Sequence, residues 1–223
     1  MNEPLVSPRF LFRFSVPCRH CDPLWTAKGA SLDKNCVLPS FAELEQPGAA
    51  PELRAGWSHS GLAFRLEVRG KRQAPWCRAE GPADSDGLQI WLDTRDVKNV
   101  HRAGRFCHRL FFLPAGGGQG FTEPAAGVLP IHRARALHGP IDESQLKVLS
   151  RKRADGYVLD AFVAADALTG FDPEEHSRLG FFYAVMDREL GEQTFGAGNP
   201  MPYPQDPSLW ATLELTGGSR STS

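Results

Sequence analysis

From Gly61 the chain reads GLAFRLEVRG, with Leu62, Phe64, Leu66 and Val68 on one parity and Arg65, Glu67 and Arg69 on the other. Side chains alternate between the two faces of a strand, so this run predicts a strand with one face in a core and one toward water. The same period of two recurs at Phe10, Phe12, Phe14 and Val16. Further strands are predicted over 87–96, 105–114 and 179–190, and at QLKVLSRKR, GYVLDAFV and WATLEL, bounded by Gly, Pro, Asp and Asn clusters. No long amphipathic helix is indicated. The segment AADALTGFDPEEH predicts one short helical turn before Pro173.

Many short strands punctuated by 22 Gly and 18 Pro predict an all-β fold, an antiparallel β-sandwich with jelly-roll or immunoglobulin-like layers, rather than alternating βαβ units. Two long loops, 17–51 and 114–139, separate the strands. With 223 residues and 41% hydrophobic content, one substantial core can be buried, and a single domain over residues 1–216 is expected. The end, TGGSRSTS, holds too little apolar surface to order itself and predicts a disordered tail over 217–223.

One strand breaks the simple pattern. If Leu88, Ile90 and Leu92 face the core, Gln89, Trp91 and Asp93 share the opposite face, and a large aromatic stands between an amide and a carboxylate. The ring is either a platform for the C–H face of a sugar or a residue covered by a folded-over loop. Trp76, between Pro75 and Cys77 in a loop, is a second platform candidate. Trp57 and Trp210 read as packing residues at strand starts.

Charge narrows the partners. Lys plus Arg number 25 against 26 for Asp plus Glu, so no general attraction to nucleic acid or an anionic membrane is expected. No apolar run is long enough for a membrane-spanning helix, and the first residues lack the pattern of a secretory leader. Five scattered cysteines, Cys18, Cys21, Cys36, Cys77 and Cys107, fit a reducing compartment better than a disulfide framework, which predicts a cytoplasmic protein.

Five pieces in order carry a resemblance: GWSHSGLAFRLEVRGK, DSDGLQIWLDTRD, RFCHRLFFLP, RADGYVLDAFVAADAL, and LGFFYAVMDRELGEQTF followed by DPSLWATLEL. Over residues 52–216 the chain resembles the carbohydrate-binding modules of family 9 and the wider DOMON-like β-sandwich group. The resemblance implies a sandwich that binds a small saccharide or polyhydroxylated ligand without catalysis. It implies a sugar held between aromatic side chains, with Gln89 as the polar strand residue and Arg105 or Arg109 as the arginine. The second aromatic would be Phe195 or Tyr203. Structural calcium is implied as well, with Asp84, Asp86, Asp93 and Asp96 as the oxygen donors available to a hard cation.

Polar side chains concentrate at the predicted strand ends. Asp93, His101, Arg105, His108, Asp187 and Glu189 are expected to converge on one end of the sandwich as its principal polar cleft, provided the 87–96, 105–114 and 179–190 strands are neighbours. A solvated set of turns is the plain alternative. A protein-binding rim and, behind it, a hydrolase or isomerase using His101, His108 and Asp187 are the competing functions. No nucleophile elbow, zincin motif or phosphate loop is present. Cys107 and His108 are strand neighbours and point to opposite faces. PCRHC spaces Cys18 and Cys21 like zinc ligands around His20, but without a second such pair zinc is not expected. Haem, bound in some DOMON domains by Met and His, would fall to Met186 and His108; Met186 lies in the apolar run FFYAVM and is expected in the core, so haem is not expected either.

Overall fold

The computed structural model describes residues 14–39, 51–196, 198 and 201–218. Thirteen strands lie within them: β1 Ser15–His20, β2 Trp25–Thr26, β3 Gly29–Ala30, β4 Glu52–Ser58, β5 Gly61–Arg69, β6 Gly87–Asp93, β7 Cys107–Gly117, β8 Glu123–Val128, β9 Leu146–Arg153, β10 Gly156–Ala164, β11 Arg178–Met186, β12 Gln193–Thr194 and β13 Ala211–Thr216. Helical structure among the described residues is confined to three-residue 3₁₀ turns, and the turn expected before Pro173 is one of them, Ala165–Ala167. Among the described residues no helix is long and apolar enough to cross a membrane. Phe10 and Phe12, and the tail from 219 onward, lie outside the described residues.

The all-β class is as expected, but two separate layers are not specifically seen. One continuous sheet runs β8-β7-β6-β11-β13-β1-β4-β5-β10-β9, with β12 paired to β11. Its two ends, β8 and β9, meet, so the sheet curls into a nearly closed barrel. Pairing is antiparallel except where β1 runs parallel to β13 and to β4. The expected end of the first strand at Pro17 is wrong: β1 continues to His20, and Pro17 sits opposite Glu214. Pairing with β4 covers only Arg19 and His20, so the missing N–H of Pro17 interrupts no ladder on that side.

Inward parity builds the core. Leu62, Phe64, Leu66 and Val68 of β5 meet Leu159, Ala161 and Val163 of β10, Leu88, Ile90 and Leu92 of β6, and Phe181, Tyr183 and Val185 of β11. Full burial of each Val, Leu, Ile or Phe side chain among them is worth about 1.5–3 kcal/mol. Two smaller apolar clusters lie on the outer faces, where loops fold back. One joins Trp91, Phe182, Tyr203 and Trp210 over β6 and β11. The other places Leu24, Leu32 and Cys36 against Ala63 of β5 and Phe162 of β10.

Candidate functional site

The 87–96, 105–114 and 179–190 strands are neighbours as expected: β6 lies between β7 and β11, with Trp91 opposite both Phe182 and Arg109. The same register overturns the single cleft. Gly180 pairs with Asp93 and Met186 with Gly87, so Asp187 and Glu189 leave β11 at one end while Asp93 and the segment carrying His101 and Arg105 lie at the other. Six residues of strand, about 20 Å at the usual rise, separate the two groups. His108 belongs to neither. Its parity is that of Leu110 and Phe112, and it is 0% exposed, with Nε2 accepting from Thr169 N at 3.1 Å and its ring stacked on His138 at 4.8 Å. Burial pushes its pKa down to about 3. A site uniting His101, His108 and Asp187 therefore does not form.

The Asp93 end is a set of turns. Asp93 is buried and accepts from Arg95 N at 3.0 Å and Val97 N at 2.8 Å; burial raises its pKa despite these bonds. His101 is exposed and contacts Asp206 and Ser208, each at 3.1 Å. Arg105 lies outside β7, exposed, with its guanidinium 4.7 Å from the ring of Phe106.

Trp91 is floor, not platform. The segment 203–210 folds over it and leaves it 1% exposed. Its Nε1 donates to Pro204 O at 3.3 Å, and the rings of Phe182 and Tyr203 stand edge-on at 5.9 and 5.4 Å. Tyr203 is itself buried, stacked on Phe182 at 4.5 Å, with its hydroxyl donating to Glu192. Phe195 lies in the main core against Tyr183, so neither aromatic of the 195–203 loop presents an open face.

Of the two arginines, Arg109 is the one that meets Gln89. Its Nη2 donates to Gln89 Oε1 at 2.7 Å, and Gln89 Nε2 donates to Ala83 O at 3.0 Å. The guanidinium lies 4.9 Å from the Trp91 ring, and its Nε has no hydrogen-bond partner among the described residues.

At the Gly87 end, Trp76 is half-buried with two guanidinium groups, those of Arg78 and Arg188, each 4.5 Å from its ring. The loop holding it is fixed from below. Trp76 N donates to Asp86 Oδ2 at 3.1 Å and Asp86 N to Trp76 O at 2.9 Å. Ser85 Oγ accepts from Arg78 N at 2.9 Å, and Arg188 N donates to Asp86 Oδ1 at 2.7 Å. Under the loop, buried Lys71 donates to both oxygens of Asp187 at 2.7 Å and to Asp86 at 3.1 Å. Burial pushes the Lys71 pKa down, but the bonds to Asp187 and Asp86 outweigh it and the ammonium is held protonated above its usual range. Glu189 accepts from Arg72 N and Gln73 N at 3.0 Å, which ties the DREL turn to the same loop. The Tyr157 hydroxyl is buried nearby without a partner among the described residues; burial, then the Asp187 and Asp86 charges, raise its pKa.

The sequence missed Lys71, which reads as one more solvated charge in RGKRQ, and the convergence of Arg78 and Arg188, which lie 110 residues apart. No local signal marks either. The calcium donors do not fit one ion: Asp86 is committed to Lys71 and to the backbone N–H groups of Trp76 and Arg188, Asp84 is exposed, and Asp93 and Asp96 lie at the other strand end. Asp96 is paired with Lys98 and Arg178 there. Among the described residues no group of three or more His, Cys, Asp or Glu could hold a metal. Met186 corrects its expectation, lying half-buried on the outer face, across the sheet from His108. Cys18 faces the core, and the His20 ring packs on Trp57 at 4.9 Å.

No family model and no curated protein matches the chain. Among solved structures it is similar to a carbohydrate-binding module of family 9 from Caldicellulosiruptor kristjanssonii in complex with cellotriose, with a TM-score of 0.61 and 14% identity over 94% of this chain and 97% of that one. A family 9 module from the same organism in complex with glucose gives 0.60 and 14% over 92% and 97%. What is shared at this identity is the fold, over nearly the whole of both chains.

Proposed function

We propose that the protein is a non-catalytic carbohydrate-binding module whose saccharide lies at the Gly87 end of the β6–β7–β11 face, against Trp76. The fold is that of modules solved with cellotriose and with glucose. The observation that carries the reading here is Trp76: a half-buried indole in a loop pinned by Asp86 and Ser85, with two guanidinium groups over its ring that have no ion-pair partner among the described residues and can swing aside for a ligand. An indole offers a flat apolar surface to the C–H face of a pyranose, and guanidinium groups supply donors to its hydroxyls or to a carboxylate. Gln89 and Arg109 lie further along β6 and β7, bonded to each other with the Arg109 guanidinium over buried Trp91, and are not needed for this contact. Buried Lys71, Asp86 and Asp187 hold the loop rather than the ligand. Trp91, His108, Phe195 and Tyr203 are packing residues in this reading, and Asp93, His101 and Arg105 lie too far along the strands to take part.

A glycan array followed by titration calorimetry on the best saccharide tests this. Trp76→Ala is expected to lower affinity at least tenfold while moving the unfolding midpoint little. Unchanged affinity in Trp76→Ala, or no binding to any saccharide on the array, overturns the proposal.

A further inference from the structure

Residues 21–36 fold over the outer face of β5 and β10, and two cysteines meet beneath that cover. Cys21 directly follows β1 and Cys36 ends the 3₁₀ turn Lys34–Cys36; their sulfurs are 3.7 Å apart and in hydrogen-bond contact. Both are held from their backbones. Cys21 N donates to Trp57 O at 2.8 Å, Cys36 N to Asp33 O at 3.2 Å, and Leu38 N to Leu53 O at 2.8 Å. Asp33 fixes the 3₁₀ turn by accepting from Asn35 N at 2.8 Å. Gly56 of β4 makes room for the pair, since a Cβ there would stand 3.1 Å from Cys21 Sγ and 2.5 Å from Leu32.

We infer that Cys21 and Cys36 are an oxidative modification site, a dithiol that closes reversibly to a disulfide in exchange with a small-molecule disulfide such as oxidised glutathione. The reaction begins at Cys21, which is half-buried where Cys36 is buried. After Cys21 loses its proton to water, its thiolate attacks one sulfur of the small disulfide. A Cys21–small-molecule bond forms, and the other half leaves as a thiolate that takes up a proton. Cys36 Sγ then attacks Cys21 Sγ, the Cys21–Cys36 bond forms, and the second half leaves carrying the proton given up by Cys36. Two protein thiols lose two electrons, and the small disulfide is reduced to two thiols. Burial, with Cys21 beside it, pushes the Cys36 pKa up to about 12, which leaves Cys21 as the initiating sulfur. The remaining cysteines are not part of the pair: Cys18 is wholly buried and faces the core, although it feels the charges of Cys21 and Cys36, Cys77 donates to Asp86 O at 3.2 Å, and Cys107 is buried in the outer cluster under 203–210.

The test treats the folded protein with oxidised glutathione, blocks free thiols with an alkylating agent, and maps the peptides by mass spectrometry. A Cys21–Cys36 linked pair is expected, opened again by dithiothreitol, with Cys18, Cys77 and Cys107 recovered as thiols. Cys36→Ser is expected to trap a glutathione adduct on Cys21, and Cys21→Ser to leave Cys36 unmodified. Because the bond closes a loop in the unfolded chain, the oxidised protein should unfold about 5–10 °C higher than the reduced one. Recovery of both Cys21 and Cys36 as thiols from the oxidised wild-type protein overturns the inference, as does a bond from either to Cys18. Mapping the wild-type protein keeps the result independent of whether a serine variant folds.

Discussion

At the scale of single residues, the two tryptophans that the sequence offers as platforms part ways, Trp91 buried and Trp76 half-buried. Trp91 shares a strand face with Gln89 and Asp93, yet the 203–210 segment covers it and takes its indole N–H. Trp76 sits in a Pro- and Gly-rich loop with no strand pattern, yet it is the ring left half open. Trp91→Ala is therefore expected to cost about 3–5 kcal/mol, the range for truncating a buried large aromatic, with loss of the Tyr203 and Phe182 edge contacts. Urea unfolding of the two variants side by side measures this: a large fall in midpoint for Trp91→Ala and little for Trp76→Ala. Parity told that Trp91 leaves the main core. Whether solvent or chain lies on the far side is settled over 110 residues away, and no local pattern carries that information.

At the scale of elements, the strands with clean alternation were legible and the others were not. β5, β9, β10 and β13 fall where their period of two puts them. β4, ELRAGWS, alternates as well, but Pro51 and Gly56 make it read as loop. β8, EPAAGV, is a half-buried strand at one end of the sheet with small residues and no period to read. The joint between the 71–86 loop and the DREL turn is the element-level device that the sequence hides. One ammonium there satisfies two buried carboxylates, and removing one member of such a group leaves uncompensated charge in a dry site. Lys71→Met is expected to cost about 3–5 kcal/mol in chemical denaturation and to weaken saccharide binding through the Trp76 loop. A Lys71→Met protein as stable as the wild type would show that Asp86 and Asp187 do not depend on the ammonium.

At the scale of the whole molecule, the curl of the sheet puts an imidazole inside. His108 has a folded pKa of about 3 against 6.5 in an unfolded chain, so between those values the unfolded state binds the extra proton. Stability from this group is full above about pH 6.5 and is lost as pH falls toward 3, by up to about 1.4 kcal/mol per pH unit. His108→Gln, neutral throughout and still able to accept from Thr169 N, should remove about 2–3 kcal/mol of the wild-type decline between pH 6.5 and 4.5. Urea midpoints of both proteins across that range read the difference, and parallel pH profiles would exclude His108 as its source. The sequence by itself determined the all-β class and the inward parity of Leu62 to Val68 and of Leu88 to Leu92. Those are consequences of alternation, which is local and repeats every two residues. Only the tertiary structure decided which strand end each polar group occupies, since antiparallel register sends Asp93 and Asp187 to opposite ends of the same ladder. Only it decided that the sheet closes toward a barrel, that Lys71 is buried, and that Cys21 meets Cys36. Each depends on loops returning across the sheet, and contacts of that reach leave no period in the chain.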